Sequence, residues 1–112
     1  MLTKKICIKG RGEGKTKWLI QKALAALDAS NTNVYYTGSL VGYNRFCKSF
    51  ERETGEKCKV GLLDSTHYNV LHDTIYLTDE LLDELTSVQY GLMEVVGGTW
   101  YATLSKENTV EE

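Results

Sequence analysis

The sequence of 112 residues lacks proline altogether and has only three cysteines and two histidines. Without proline, the chain favours regular helices and strands over linkers. Cys7, Cys47 and Cys58 lack the spacing of zinc or redox motifs, so we expect reduced thiols in a cytoplasmic protein. His67 and His72 have no companions as metal ligands, and surface histidines are the simpler interpretation. No apolar run reaches the length of a signal peptide or a membrane span, so we expect no membrane partner.

The net charge of −2 is divided unevenly along the chain. Residues 1–72 carry 12 Lys or Arg and 6 Asp or Glu, a net charge of +6, whereas residues 73–112 carry 1 and 9, a net charge of −8. A basic half attracts phosphates or nucleic acid, and an acidic half can hold a metal ion or face a basic partner. Two solvated faces would produce the same pattern, so charge alone leaves these alternatives open.

Predicted strands and helices alternate along the sequence. The β-branched and aromatic content predicts five strands, at residues 4–9, 34–37, 57–63, 74–77 and 99–104. Helical spacing of apolar residues predicts three helices, at residues 16–29, at residues 43–53 and from Asp79 to the pair Gly97-Gly98.

This alternation predicts one α/β domain over residues 1–105, followed by a frayed polar tail at residues 106–112. The domain would contain a mostly parallel sheet of about five strands with helices on both faces. Ligands of such sheets bind beyond the carboxyl ends of the strands. The glycine-rich loop after the first strand, Asp79-Glu80 and Ser105 are therefore expected along one rim of the sheet.

The segment IKGRGEGKT, between the first strand and the first helix, has the composition of a phosphate-binding loop. Gly10, Gly12 and Gly14 allow backbone conformations that point successive N–H groups into one concavity. The helix that follows adds the positive end of its dipole. Lys15 can reach terminal phosphates, and the Thr16 hydroxyl can ligate a bridging Mg²⁺ ion. A flexible turn with a chance Lys-Thr pair is the alternative, but the strand before and the helix after favour phosphate.

This loop resembles that of the P-loop NTPases, in which glycine and four residues precede Gly-Lys-Ser/Thr. Lys9 stands at the position of the first glycine, and Gly10 comes one residue late. The resemblance implies ATP and Mg²⁺ as ligands and Lys15 as a catalytic residue. The implied nucleotide-binding residues all lie in the loop: Gly10, Arg11, Gly12, Glu13, Gly14, Lys15 and Thr16.

The segment IYLTDE, residues 75–80, resembles the Walker B segment of ATPases in which a catalytic glutamate directly follows the metal-binding aspartate. The resemblance implies that Asp79 holds Mg²⁺ through water and that Glu80 polarises the attacking water. Thr78 stands where an apolar residue is usual. Alternatively, Asp79 and Glu80 simply open a helix, with Thr78-Asp79 as its cap, and both interpretations can hold at once.

Two further segments fall in the order of a RecA-like or helicase-like core. VYYTGS, residues 34–39, lies where those ATPases have their second strand. YATLS, residues 101–105, is similar to the helicase segment that ends in a Ser/Thr-Ala-Thr triplet and senses the phosphate state. The resemblance implies Thr103 or Ser105 as the sensor, and a plain core strand is the alternative.

Arginine is scarce, with Arg11, Arg45 and Arg52 as the whole complement. A nucleoside monophosphate kinase usually carries several arginines in a lid, and a GTPase carries Asn-Lys-x-Asp, so the sequence argues against both. No arginine finger is evident, so we expect slow turnover unless a partner chain or a homo-oligomer completes the site. A helicase would need a second RecA-like domain, for which this chain has no room.

Arg45 and Lys48, which lie near tyrosines that can stack on bases, are predicted contacts for single-stranded nucleic acid, although tyrosine in strands more often serves packing. We therefore expect a minimal RecA-like ATPase domain that binds ATP and Mg²⁺ and acts, weakly or with a partner, in nucleic-acid metabolism. The alternative is a non-hydrolysing module that keeps the fold and binds nucleic acid or a protein partner.

Overall fold

A computed structural model of the chain describes residues 2–10, 12, 14–29, 33–64, 74–79 and 85–105. Strands and helices alternate along these residues, as the sequence predicts. In chain order the elements are β1 (Leu2–Lys9), α1 (Lys15–Leu27), β2 (Asn33–Tyr36), α2 (Leu40–Thr54), β3 (Gly61–Leu62), β4 (Thr74–Thr78), α3 (Ser87–Val96) and β5 (Gly98–Ser105).

All the described strands pair in parallel, in the order β1-β5-β4-β2-β3. The last strand, β5, is therefore inserted between β1 and β4. Ala102 of β5, for example, pairs with Ile6 of β1 on one side and with Thr78 of β4 on the other. Because the strands are parallel, their carboxyl ends share one rim, and the predicted α/β class is confirmed.

The helices cover both faces of the sheet. On one face, α1 and α2 pack against β2 and β4 through a cluster that includes Leu19, Phe46 and Leu77. On the other face, Met93 of α3 packs against Trp100 in a second cluster. Neighbouring residues along β4 and β5 contribute to opposite clusters, as expected for strands that are buried on both faces.

Helix α2 is longer than the predicted span of residues 43–53. The Ser39 hydroxyl accepts a hydrogen bond from the Gly42 N–H at 3.0 Å and so begins the helix at Leu40. At the other end, Gly55 adopts φ +72°, a left-handed conformation that terminates the helix.

The prediction of one continuous helix starting at Asp79 is wrong. Helix α3 begins at Ser87, because Thr86 and Gln89 form a capping box with hydrogen bonds of 3.1 and 2.9 Å. Leu85 and Thr86 are not helical. The sequence TSVQ carries the signature of this cap, and the leucine run before it concealed the signal.

The predicted strand at residues 57–63 is reduced to two residues, Gly61 and Leu62. The preceding segment is held by side chains rather than by a strand partner. The Tyr43 hydroxyl donates to the Val60 carbonyl at 2.7 Å, and Glu51 accepts from the Cys58 N–H at 3.2 Å. These contacts fasten the segment to α2.

Gly98 lets β5 start close to the start of β4. Its φ is +118°, and a Cβ atom at this position would lie 2.3 Å from the Thr74 carbonyl oxygen. The Tyr76 hydroxyl also donates to the Gly97 carbonyl at 2.9 Å. The predicted break at Gly97-Gly98 is confirmed, and it is also the point where two strands approach too closely for a side chain.

Candidate functional site

The neighbouring strands β1, β5 and β4 bring three segments to one place on the rim. The glycine-rich loop follows β1, Thr103 lies near the end of β5, and Asp79 directly follows β4. Because β5 separates β1 from β4, its end lies between the loop and the aspartate. The insertion of the last strand therefore determines what Asp79 can contact.

The Asp79 carboxylate is held by two hydroxyls. Thr16, in the first turn of α1, donates to Oδ2 at 2.8 Å, and Thr103 donates to Oδ1 at 2.8 Å. Thr103 is fully buried, and Asp79 is half-buried. Each carboxylate oxygen therefore has a fixed donor, so the side chain has one orientation at the mouth of the loop. The structure thus brings together three of the residues singled out in the sequence.

The loop enters α1 through glycines in left-handed conformations. Gly12 has φ +76° and Gly14 has φ +90°. Gly14 is the N-cap of α1; no side chain caps the helix there, and its first turn holds no acidic residue. The positive end of the helix dipole is therefore left uncompensated by a carboxylate in that turn, which favours an anion.

A cavity of about 580 Å³ opens beside the loop. This volume falls within the range of small-molecule sites, roughly 300–1,000 Å³. Its lining comes from the loop, the start of α1, the ends of β2 and β4, and α2: Gly12, Gly14, Lys15, Thr16, Lys17, Tyr36, Gly42, Arg45, Phe46, Ser49, Glu53 and Asp79.

The predicted site residues divide into three groups in this structure. Lys15, Thr16, Asp79 and Arg45 line the cavity together with two of the loop glycines. Gly10, Thr103 and Ser105 are buried and do not line it, and Lys48 is exposed on α2 outside the lining. Several predicted features lie outside the described residues: Arg11, Glu13, Glu80, His67, His72 and the tail at residues 106–112.

The α2 side of the cavity is the part that sequence reasoning missed. Gly42, Arg45, Ser49 and Glu53 recur at intervals of three and four residues, so they share one face of α2. The spacing is visible in the sequence. It does not reveal that this face lies opposite the loop, which depends on how α1 and α2 pack on the sheet.

A directed chain of buried hydrogen bonds fixes the end of β4 just before Asp79. The Trp100 indole N–H donates to the Thr78 hydroxyl at 2.8 Å, and Thr78 is hydrogen-bonded to Thr37. Thr37 in turn donates to the Leu77 carbonyl at 3.2 Å. Each hydroxyl has one proton, so Thr78 must donate to Thr37. Thr78 is therefore the acceptor that the buried indole requires.

The cysteines lie away from the cavity lining. All three are free thiols. Cys58 contacts Cys47 through a hydrogen bond, which their spacing in the sequence did not indicate. Burial raises the pKa of the Cys58 thiol to about 12, and the hydrogen bond to Cys47 adds to the shift. The Cys58 thiol is therefore protonated at neutral pH and unreactive as a nucleophile.

The oxygens of Thr16 and Asp79 suit a metal ion that is coordinated mainly by phosphates rather than by protein side chains. Within the described part of the chain, no three His, Cys, Asp or Glu side chains form a cluster. A Mg²⁺ ion that accompanies phosphates takes only one or two protein oxygens, the remainder being phosphate and water. The Thr16 hydroxyl and the Asp79 carboxylate, in hydrogen-bond contact, fit that requirement.

The chain matches no protein-family model, no curated protein and no solved structure. Among the described helices, none is both long and apolar enough to cross a membrane.

Proposed function

We propose that the chain is a P-loop domain that binds ATP with Mg²⁺ in the cavity between the glycine-rich loop and α2. The observation that carries the proposal is the Asp79 carboxylate, held between the Thr16 and Thr103 hydroxyls. If Asp79 only capped a helix, its carboxylate would need no hydrogen bond from Thr16 of α1 or from Thr103 of β5. A site that responds to a metal-bound phosphate needs both contacts.

The loop and the start of α1 bind the phosphates. Backbone N–H groups around Gly12 and Gly14 and the helix dipole attract the anion, and Lys15 neutralises the terminal phosphates. The Thr16 hydroxyl donates its proton to Asp79, so a lone pair of the Thr16 hydroxyl oxygen remains for Mg²⁺. By the resemblance of IYLTDE to ATPase segments, Asp79 would hold the ion through water, and the bound ion would neutralise charge on the phosphate oxygens.

Hydrolysis is expected to be slow or to depend on a partner. Glu80 is the proposed water-polarising residue, by the resemblance of IYLTDE to ATPase segments. Thr103 is the proposed phosphate sensor, because its hydroxyl contacts the same carboxylate that faces the metal. The buried Ser105 is the second sensor candidate.

The setting of this activity follows from the same resemblance to RecA-like ATPases. We propose a cytoplasmic protein that acts in nucleic-acid metabolism, alone, as a homo-oligomer or with a protein partner. The three free thiols are consistent with that compartment. Lys48 is exposed and accessible to a nucleic-acid backbone. Binding to a single-stranded oligonucleotide should then weaken steeply as salt rises.

The test is the thermal stability of the protein with and without ATP and Mg²⁺. A ligand at about 100 times its Kd stabilises the native state by about 2.7 kcal/mol. At about 4 °C per kcal/mol, this raises the Tm by about 10 °C. Lys15→Ala should abolish the shift, because it removes the charge that faces the phosphates.

Lys59→Ala is the matched control, since it makes the same change in charge at an exposed position outside the cavity lining. It should keep the full shift. Equal shifts in wild type and Lys15→Ala would refute the phosphate-loop assignment. Binding of ATP without measurable turnover, with or without nucleic acid, would favour the non-hydrolysing alternative.

A further inference from the structure

Arg45 stands across the cavity from the phosphate loop. It lies on α2, whereas Lys15, Thr16 and Lys17 approach the cavity from α1. Helix α2 begins at the rim, immediately after the end of β2, so its first turns are the part nearest the loop. Gly42, one turn before Arg45, is buried against the cavity and has no side chain to separate the helix from a ligand.

The charge of Arg45 is not neutralised by any described residue. The structure shows no hydrogen bond or ion pair from its guanidinium to the described part of the chain. Both oxygens of Asp79 already accept hydrogen bonds from hydroxyls. Glu53, the other described carboxylate of the lining, is eight residues further along α2, on the order of 12 Å along the helix axis. Arg45 is thus a cation that lines the cavity without a described partner.

We propose that Arg45 binds the terminal phosphate of the nucleotide from the side opposite Lys15. The chain then carries an arginine of its own at the terminal phosphate. A guanidinium presents a planar pair of N–H donors that fits two oxygens of a phosphate. This inference rests on the proposed function, because it assumes that the loop holds a nucleoside triphosphate.

The proposal predicts discrimination between triphosphate and diphosphate. The loop binds the phosphate groups that ATP and ADP share, and Lys15 reaches both these and the terminal group, whereas Arg45 contacts only the group that ADP lacks. Loss of a charged hydrogen bond to phosphate should reduce affinity about ten- to a hundredfold. The reduction should apply to the triphosphate alone.

The experiment is calorimetric titration of wild type and Arg45→Ala with ADP–Mg²⁺ and with a non-hydrolysable ATP analogue and Mg²⁺. We expect Arg45→Ala to weaken the analogue at least about tenfold and ADP less than about twofold. Arg45→Lys keeps the charge but loses the paired donors, so it should lie between wild type and Arg45→Ala. Arg52→Ala, an exposed arginine on the same helix and outside the lining, should change neither affinity.

Each outcome distinguishes the two proposals. If wild type binds both nucleotides and Arg45→Ala weakens them equally or not at all, the role of Arg45 is refuted and the proposed function stands. If wild type binds neither nucleotide, both proposals are refuted. The exposure of Arg45 keeps the variant foldable, which a wild-type Tm without nucleotide would verify.

Discussion

Replacing Thr78 with valine removes one hydroxyl from the buried chain that links Trp100, Thr78 and Thr37 while keeping the side-chain volume. The Trp100 indole N–H would then be buried without the acceptor that lies 2.8 Å away in the structure. A buried donor left unpaired costs about 1–3 kcal/mol. At about 4 °C per kcal/mol, the Tm should fall by about 4–12 °C. Thermal or urea denaturation of the two proteins measures this directly.

A double-mutant cycle with Trp100→Phe isolates the hydrogen bond from the packing. Phenylalanine has no N–H, so Thr78→Val should cost much less in that background than in wild type. If the Thr78 hydroxyl had no structural role, Thr78→Val would leave the free energy of unfolding unchanged or increase it. That result, or an equal cost in both backgrounds, would refute the role assigned to the buried hydroxyl.

Three other predictions test the site and the fold. Asp79→Asn should weaken Mg²⁺-dependent ATP binding in calorimetry, whereas Glu80→Gln should keep binding and suppress phosphate release; unchanged turnover in both would make the acid pair structural. Gly98→Ala should destabilise the protein by about 2–5 kcal/mol in urea denaturation, because it adds a clash with a strand carbonyl to backbone strain. Gly55→Ala, which meets open space at φ +72°, should cost only about 1–2 kcal/mol, and an equal cost would contradict the clash. Burial raises the pKa of Tyr76 from 10.0 to about 12, so the folded state keeps a proton that the unfolded state loses. Stability should therefore be intact below pH 10 and decline between pH 10 and 12. Tyr76→Phe should flatten that decline in Tm measurements, and an unchanged profile would contradict it.

The sequence predicts much of this fold because its signals are local. Alternating β-branched runs and amphipathic helices give the α/β class, and the parallel sheet then brings the ends of β1, β4 and β5 to one rim. The meeting of Thr16, Asp79 and Thr103 is the structural basis of the proposed site, and each residue was singled out from its segment alone. Whether they act on a nucleotide remains a prediction.

The features that the sequence did not reveal depend on long-range packing. The sequence groups Arg45 with Lys48 as predicted nucleic-acid contacts, yet only Arg45 lines the cavity, because the rotation of α2 about its axis is set by Phe46 and Phe50 in the core. The start of α3 was missed for a different reason. Its capping box is visible in the four residues TSVQ, but the leucines before it predict a helix that begins earlier.

The position of β5 also determines when the site can form during folding. Strand β1 pairs with β5 and with no other described strand, and Leu2 pairs with Gly98, near the opposite end of the sequence. Closing so long a loop is slow, since its entropy is lost before the contacts are gained. Until β5 inserts, β1 and β4 are both unpaired on the sides that face each other. The loop after β1 and the aspartate after β4 are then not held together, so a nascent chain can form the proposed nucleotide site only when β5 is in place.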